Sequence, residues 1–151
     1  KKTHKRQLPY YCCALTLQPF EHPFCTKDGF VFDLTAILPY VKKNKSHPIT
    51  GEKLSLKDLV KLTFYKNDDE EYHCPITRKI FNKSSYIVAN GKTGNVYSYD
   101  AIKQLNIKKN DFRDLIDNTP FTKKDIITIQ NPQNPSRQNI ENFVHIVRAQ
   151  K

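Results

Sequence analysis

The sequence contains no methionine and no tryptophan, and only four glycines in its 151 residues. Lacking an initiator methionine, it is expected to be a piece of a longer protein. So few glycines leave no phosphate-cradling loop: there is neither a Walker-type motif nor a dinucleotide fingerprint, and no H-E-x-x-H pair for a catalytic zinc. Nowhere do about 18 apolar residues run together, which excludes a membrane-spanning helix. Residues 1–6 are basic, but no apolar stretch follows them, so they do not read as a secretory leader.

Cysteine is sparse as well. Cys12, Cys13, Cys25 and Cys74 form no C-x-x-C pair, and a zinc site needs about four converging ligands, usually in two close pairs. His22, Cys25 and His47 could be gathered around one ion, yet no second pair completes the set, so no metal and no cofactor is expected. Buried, reduced thiols are the simpler reading. The histidines (His4, His22, His47, His73, His145) have no partner in a recognisable nucleophile motif. His73 and Cys74 are neighbours, but neighbours in an extended strand face opposite ways. No catalytic residue is assigned.

Acidic residues are outnumbered by basic ones, giving a net charge of +10. The excess is scattered over Lys42, Lys43, Lys45, Lys108, Lys109, Lys123, Lys124 and the chain's beginning, with no aromatic string of the kind that stacks bases. A solvated lysine-rich surface explains it, and any nucleic-acid contact would be non-specific.

What the chain does have is aromatic and aliphatic content enough for a core: 38% hydrophobic, with nine Phe and eight Tyr, which argues against wholesale disorder. Lys27-Asp28-Gly29 between apolar runs predicts a hairpin. Asp33 stands where a helix cap should, ahead of Leu34, Ile37, Leu38 and Val41 at helical spacing, with Pro39 expected to kink the helix or delay its start. Leu54, Leu56, Leu59, Val60 and Leu62 predict a second amphipathic segment. Residues 67–71 are acidic and read as a linker. Then the pattern returns: Cys13-Ala14-Leu15-Thr16 is answered by Cys74-Pro75-Ile76-Thr77, Phe20 by Phe81, Gly29 by Gly94, Ile37 by Ile102, and Pro48-Ile49-Thr50 by Pro120-Phe121-Thr122. Three matched blocks in one order predict an internal duplication. Past Asn131 the chain turns polar, and Ile140, Phe143, Val144 and Val147 predict a helix that either packs back on the second repeat or begins a linker.

An apolar tip (Leu15, Ile76) and a proline (Pro48, Pro120) either side of a short helix ending at Tyr40 describe a shallow groove for another protein's apolar loops. The plainer alternative, that Leu15 and Pro48 only plug the core of a small domain, is evenly matched on spacing alone.

The cysteine-small-aliphatic run, the Pro23 and Gly29 of the hairpin, the aromatic-to-helix entry from Phe32 to Ile37, and the Pro48-x-Thr50 loop resemble the U-box, a zinc-free relative of the RING domain. More narrowly, TLQPF (16–20), DGFVFD (28–33), TGEKL (50–54), TGNVY (93–97), QLNIK (104–108), FRDL (112–115) and DIITIQ (125–130) resemble the U-box cyclophilins, the peptidyl-prolyl isomerase-like protein 2 family. The resemblance implies an α+β chain of two tandem zinc-free U-box folds: a lead-in over 1–8, a first U-box over 9–64, an acidic linker over 65–71, a divergent second unit over 72–132, and a linker or helix over 133–151. In that family a cyclophilin domain follows. It is not in this chain, so prolyl isomerase activity is not expected here.

The resemblance further implies a ubiquitin-protein ligase module that binds a ubiquitin-conjugating enzyme charged with ubiquitin, with no nucleophile of its own. Leu15, Leu17, Tyr40, Pro48 and Ile49 would receive the conjugating enzyme, with Ile76, Pro120 and Lys123 as candidates in the second unit. Lys123 would supply the cation that RING-like ligases often place after the second loop, where the first unit has Gly51. Asp28, Asp33 and Thr50, and Ser98, Asp100 and Thr122, would brace the loops in place of zinc. The alternative is a non-catalytic docking module among nuclear splicing-complex proteins. A nuclear location is implied, with the cytoplasm as a second compartment, a protein substrate that the sequence does not name, and no membrane partner.

Overall fold

The computed structural model describes residues 6–149, so most of the basic lead-in lies outside the described residues. Its architecture is mixed helix and sheet. In the first half, β1 (Pro23–Cys25) and β2 (Val31–Asp33) form the hairpin that Asp-Gly predicts, with Phe24 opposite Phe32. Helix α1 (Leu34–Asn44) follows directly. Its start is not delayed by Pro39, because Pro39 and Thr35, whose carbonyl loses a partner, both lie on the exposed side. The Asp33 side chain does not cap the helix; it accepts the His22 amide at 3.2 Å instead. The second amphipathic segment is a 3-10 turn, Leu56–Asp58, running into β3 (Val60–Lys61), which pairs with β1.

Residues 67–71 are not a free linker. They turn a hairpin between β4 (Tyr65–Lys66) and β5 (Tyr72–His73), with the Asn67 side chain accepting the Asp69 and Glu71 amides at 2.9 and 3.0 Å. The second half then repeats the first sheet: β6 (Ile87–Asn90) lies between β7 (Val96–Ser98) and β8 (Ile126–Gln130), as β1 lies between β2 and β3. Its helix is one turn, α2 (Tyr99–Ile102), widening into a π-helical turn, Lys103–Ile107.

One apolar cluster joins the halves, running from Phe20, Cys25, Val31 and Leu62 to Cys74, Val88, Tyr97 and Ile129. Across this seam two glycines make reciprocal contacts. A Cβ on Gly29 would lie 1.7 Å from the Thr128 carbonyl oxygen of β8, and one on Gly94 would lie 1.9 Å from that of Lys61 in β3. Arg137 adds a tie, stacking on Phe30 at 4.7 Å and donating to the carbonyls of Asp28 and Ile129. A second cluster gathers Cys13, Ala14, Phe32, Ile37, Val41 and Ile49 with Ile140 and Phe143. Beyond Arg137 the C-terminal stretch packs on the first half: its helix α3 (Val144–Ala149) follows a 3-10 turn, Ile140–Asn142, and residues 138–140 pair with residues 6–8.

Candidate functional site

The chemistry of both halves lies in four tight turns, each headed by a side chain that caps its own loop. Cys13 starts the first: Cys13 N–H donates to Gln18 O at 2.8 Å, Leu17 N–H returns to Cys13 O at 2.8 Å, and the Leu15 amide points at Cys13 Sγ at 3.4 Å. Cys74 repeats this with Lys79, Arg78 and the Thr77 amide. Leu17 and Arg78 both close their turns at positive φ, 64° and 68°.

His47 heads the third turn, bonded to Glu52 O at 2.7 Å and from Gly51 N–H at 2.8 Å, and Asp114 heads the fourth, bonded to Thr119 O and from Asn118 N–H, both at 2.9 Å. This sets a register that the sequence reading missed. Asp114 answers to His47, so Pro48 and Ile49 are answered by Leu115 and Ile116. Pro120 stands where Lys53 does, each bridging back across its turn, to Arg113 and to Ser46. The capping boxes Ser55–Asp58 and Thr122–Asp125 confirm the frame. Lys123 thus answers to Leu56. The position answering to Gly51 is Asn118, and both are left-handed, at φ 81° and 66°, which suits Gly and Asn and leaves no cation at either place.

His47 Nδ1 accepts the Ile49 and Thr50 amides at 3.0 and 3.4 Å, so the ring proton is on Nε2, which donates to Asp28 Oδ1 at 3.3 Å. Thr26 donates to the same carboxylate. Burial alone would raise the Asp28 carboxyl, but the His47 and Thr26 bonds outweigh it and hold it below the usual carboxylate range. His47→Ala would strand the buried Ile49 amide and remove edge contacts to Phe30 and Phe32. A loss of about 2–3 kcal/mol in urea unfolding is expected, of which His47→Asn, whose Oδ1 can accept the same amides, recovers about half.

Asp114 does the same work with charge. Oδ1 accepts Asn90 Nδ2 at 3.0 Å and Thr93 Oγ1 at 2.9 Å; Oδ2 accepts Asn95 Nδ2 at 3.0 Å, Tyr97 Oη at 2.8 Å, and the Ile116 and Asp117 amides at 3.0 and 3.2 Å. Burial would raise this carboxyl; the Tyr97 hydroxyl, the Ile116 amide, Thr93 and Asn95 together pull it below the usual range.

Neither hub fits a zinc ion. At Asp114 a cation would meet six donor hydrogens and one carboxylate, and at His47 the Nδ1 lone pair already faces two amides. Among the described residues no three His, Cys, Asp or Glu side chains converge on one point. The four cysteines are buried free thiols, and burial pushes Cys25 up to about 12, which makes it an unreactive core residue. Of the expected braces only Asp28 links two loops. Asp33 holds His22, while Thr50, Ser98 and Thr122 make local bonds to the amides of Glu52, Asp100 and the side chain of Asp125.

At the tips of the first pair of turns, Leu15 and Leu17 are half-buried on the cluster that holds Ile49, and Tyr40 is half-buried on the last turns of α1. Pro48 is fully buried and Ile49 is 7% exposed, because the chain's own C-terminal stretch lies on them. Val144 N–H donates to Ile49 O at 3.0 Å, His145 N–H to Pro48 O at 2.8 Å, and His145 Nε2 to Ala14 O at 2.8 Å. In the second pair Ile76 and Leu115 are half-buried and Ile116 is 44% exposed. Pro120 and Lys123 are exposed, away from the turn tip.

Self-capped turns braced to a hairpin, with an aliphatic tip beside each, define a RING-like module in a mixed helix-and-sheet frame. The chain belongs to the Rtf2 RING-finger family, whose profile matches residues 1–150. It is similar to peptidyl-prolyl cis-trans isomerase-like 2 of Rhizopus delemar, 50% identical over 141 residues, which are 93% of this chain and 26% of that protein. It is 48% identical over 150 residues to peptidyl-prolyl cis-trans isomerase CYP65 of Arabidopsis thaliana, covering 99% of this chain and 25% of the relative. Peptidyl-prolyl cis-trans isomerase 4 of Caenorhabditis elegans is 45% identical over 141 residues, 93% of this chain and 27% of the relative. The resemblance read from the short strings to the isomerase-like protein 2 family is thereby shown. The chain spans about a quarter of the length of each of these relatives.

Proposed function

We propose that this chain is a ubiquitin-ligase module made of two tandem U-box units, residues 9–64 and 72–132, that recruits a ubiquitin-conjugating enzyme and promotes transfer to a substrate lysine. One observation supports the reading: in each half a partly exposed aliphatic tip, Leu15 or Ile76, packs on the cluster that also holds a residue of a second turn, Ile49 or Leu115, and that second turn is fixed by buried polar bonding at His47 or Asp114. The module contributes no nucleophile. It holds the charged conjugating enzyme near its target, and the rate gain is one of proximity and orientation. The contact is small and short-lived, since the conjugating enzyme must leave to be recharged.

The first face is Leu15, Leu17 and Tyr40 with Pro48 and Ile49 beneath residues 144–145; the second is Ile76 with Leu115 and Ile116. The second is open, so it carries the basal activity. In autoubiquitination with a panel of conjugating enzymes, Ile76→Ala is expected to lower basal transfer about tenfold or more, the effect of losing a central apolar anchor, while thermal unfolding shows the fold intact. If no conjugating enzyme supports transfer, the catalytic reading fails. The other reading, a non-catalytic docking module among nuclear, spliceosome-associated proteins, then takes its place. Prolyl isomerase activity is not assigned to these residues.

A further inference from the structure

We propose that the first turn of α3, residues 144–147, is a releasable cover over the first unit's docking face, held shut through His145 and displaced when a conjugating enzyme binds there. The proposal rests on the docking reading above and names how one of its two faces is regulated.

Three features carry it. The contact is specific to the tips of both turns: successive amides of Val144 and His145 meet the successive carbonyls of Ile49 and Pro48, and the His145 ring crosses to the Ala14 carbonyl of the other turn. One residue thus clamps both sides of the groove. The same two positions in the second unit, Leu115 and Ile116, are half-buried and exposed, so the turn architecture does not itself require a cover.

The cover is also held lightly. None of the described residues of α3 is buried: Ile146 packs half-buried on the core cluster, and Val147 is 40% exposed. The anchor lies upstream, where Leu8 N–H bonds to Gln138 O at 2.8 Å and Ile140 N–H to Arg6 O at 2.9 Å, and Phe143 is sunk in the core at 1% exposed. Phe143 is extended, at φ −70° and ψ 131°, between a 3-10 turn and α3. A rotation there lifts residues 144–147 and leaves Ile140 and Phe143 seated.

Binding of a conjugating enzyme is measured on the Ile76→Ala background, which silences the second face. Adding His145→Ala is expected to tighten binding about five- to tenfold, the worth of a half-buried hydrogen bond with its ring packing, and Leu15→Ala is expected to erase the gain. Equal binding with and without His145, both lost on Leu15→Ala, would show that the face was never covered and would overturn the proposal while leaving the docking reading in place. Hydrogen exchange on the unmodified chain reads the cover without any partner. The Val144 and His145 amides are expected to exchange by local opening, far faster than Val88 in the central strand β6. Exchange at the pace of Val88 would make the segment an integral part of the fold and sink the idea. Fast local exchange with no conjugating enzyme binding to any variant would retain the cover and sink the docking reading instead.

Discussion

Asp114→Asn is expected to destabilise the protein by about 4 kcal/mol, the scale of removing one partner from a buried charged network. The substitution keeps shape and volume but replaces one acceptor oxygen by a donor. Six donors already converge on that carboxylate, four of them on Oδ2. Whichever way the new amide turns, it faces either Asn90 and Thr93 or Asn95, Tyr97 and two backbone amides, and those groups lose their acceptor while remaining out of water. Against a total of roughly 5–15 kcal/mol for a domain, this is a large share. Urea unfolding followed at Tyr97 would read it, and a loss under about 1 kcal/mol would show that the hub is not what braces the turns.

The same residue, together with Asp28, contributes to the acid limb of stability. Its native carboxyl titrates below the usual carboxylate range, so on acidification the unfolded chain takes up the proton first, near its ordinary value of about 3.9. Stability from Asp114 is therefore complete above that value and lost as pH falls through the native one. The wild-type protein is expected to weaken steeply in that window, and the Asn variant to weaken less.

Gly94→Ala is the second large effect. At φ 80° an alanine costs about 1 kcal/mol in backbone strain alone. Its Cβ would also sit 1.9 Å from the Lys61 carbonyl oxygen, which is backbone and cannot rotate away, so the seam between the halves must part. A total loss of about 3–4 kcal/mol is expected, in the range of severe core overpacking combined with strain. Gly51→Ala separates the two causes. Its φ is 81°, but the nearest atoms to its Cβ are side-chain atoms of Val144 and Arg148 at 3.6–3.8 Å, an ordinary contact. It should therefore cost only about 1 kcal/mol. Equal losses at Gly51 and Gly94 would mean that conformation, and not the seam, decides.

Much of this was readable in the chain. Asp28-Gly29 placed the hairpin because only a few dipeptides turn so tightly, and Leu34, Ile37 and Val41 placed α1 through their period. The Cys13 and Cys74 turns matched because the same atom caps both. The second-loop register was not readable, since His47 and Asp114 accept the same pair of amides with different chemistry, and the shared Pro-x-Thr of Pro48 and Pro120 offered a false match. The burial of the hub residues was hidden for the same reason: a lone Asp beside Arg113 looks like surface, and only the fold turns Asn90, Asn95 and Tyr97 toward it. Residues 67–71 looked like a linker because turn-forming and solvating residues are the same types. Nor does periodicity reveal that Val144 and His145 grip a neighbour through their backbone, since amide donors are common to every residue but proline.

The crossed glycine seats also limit how the two halves can change. Gly29 leans on a strand of the other half and Gly94 returns the favour, so neither half can be redesigned along that border alone. A change on one side of that hidden margin calls for a matching change on the other.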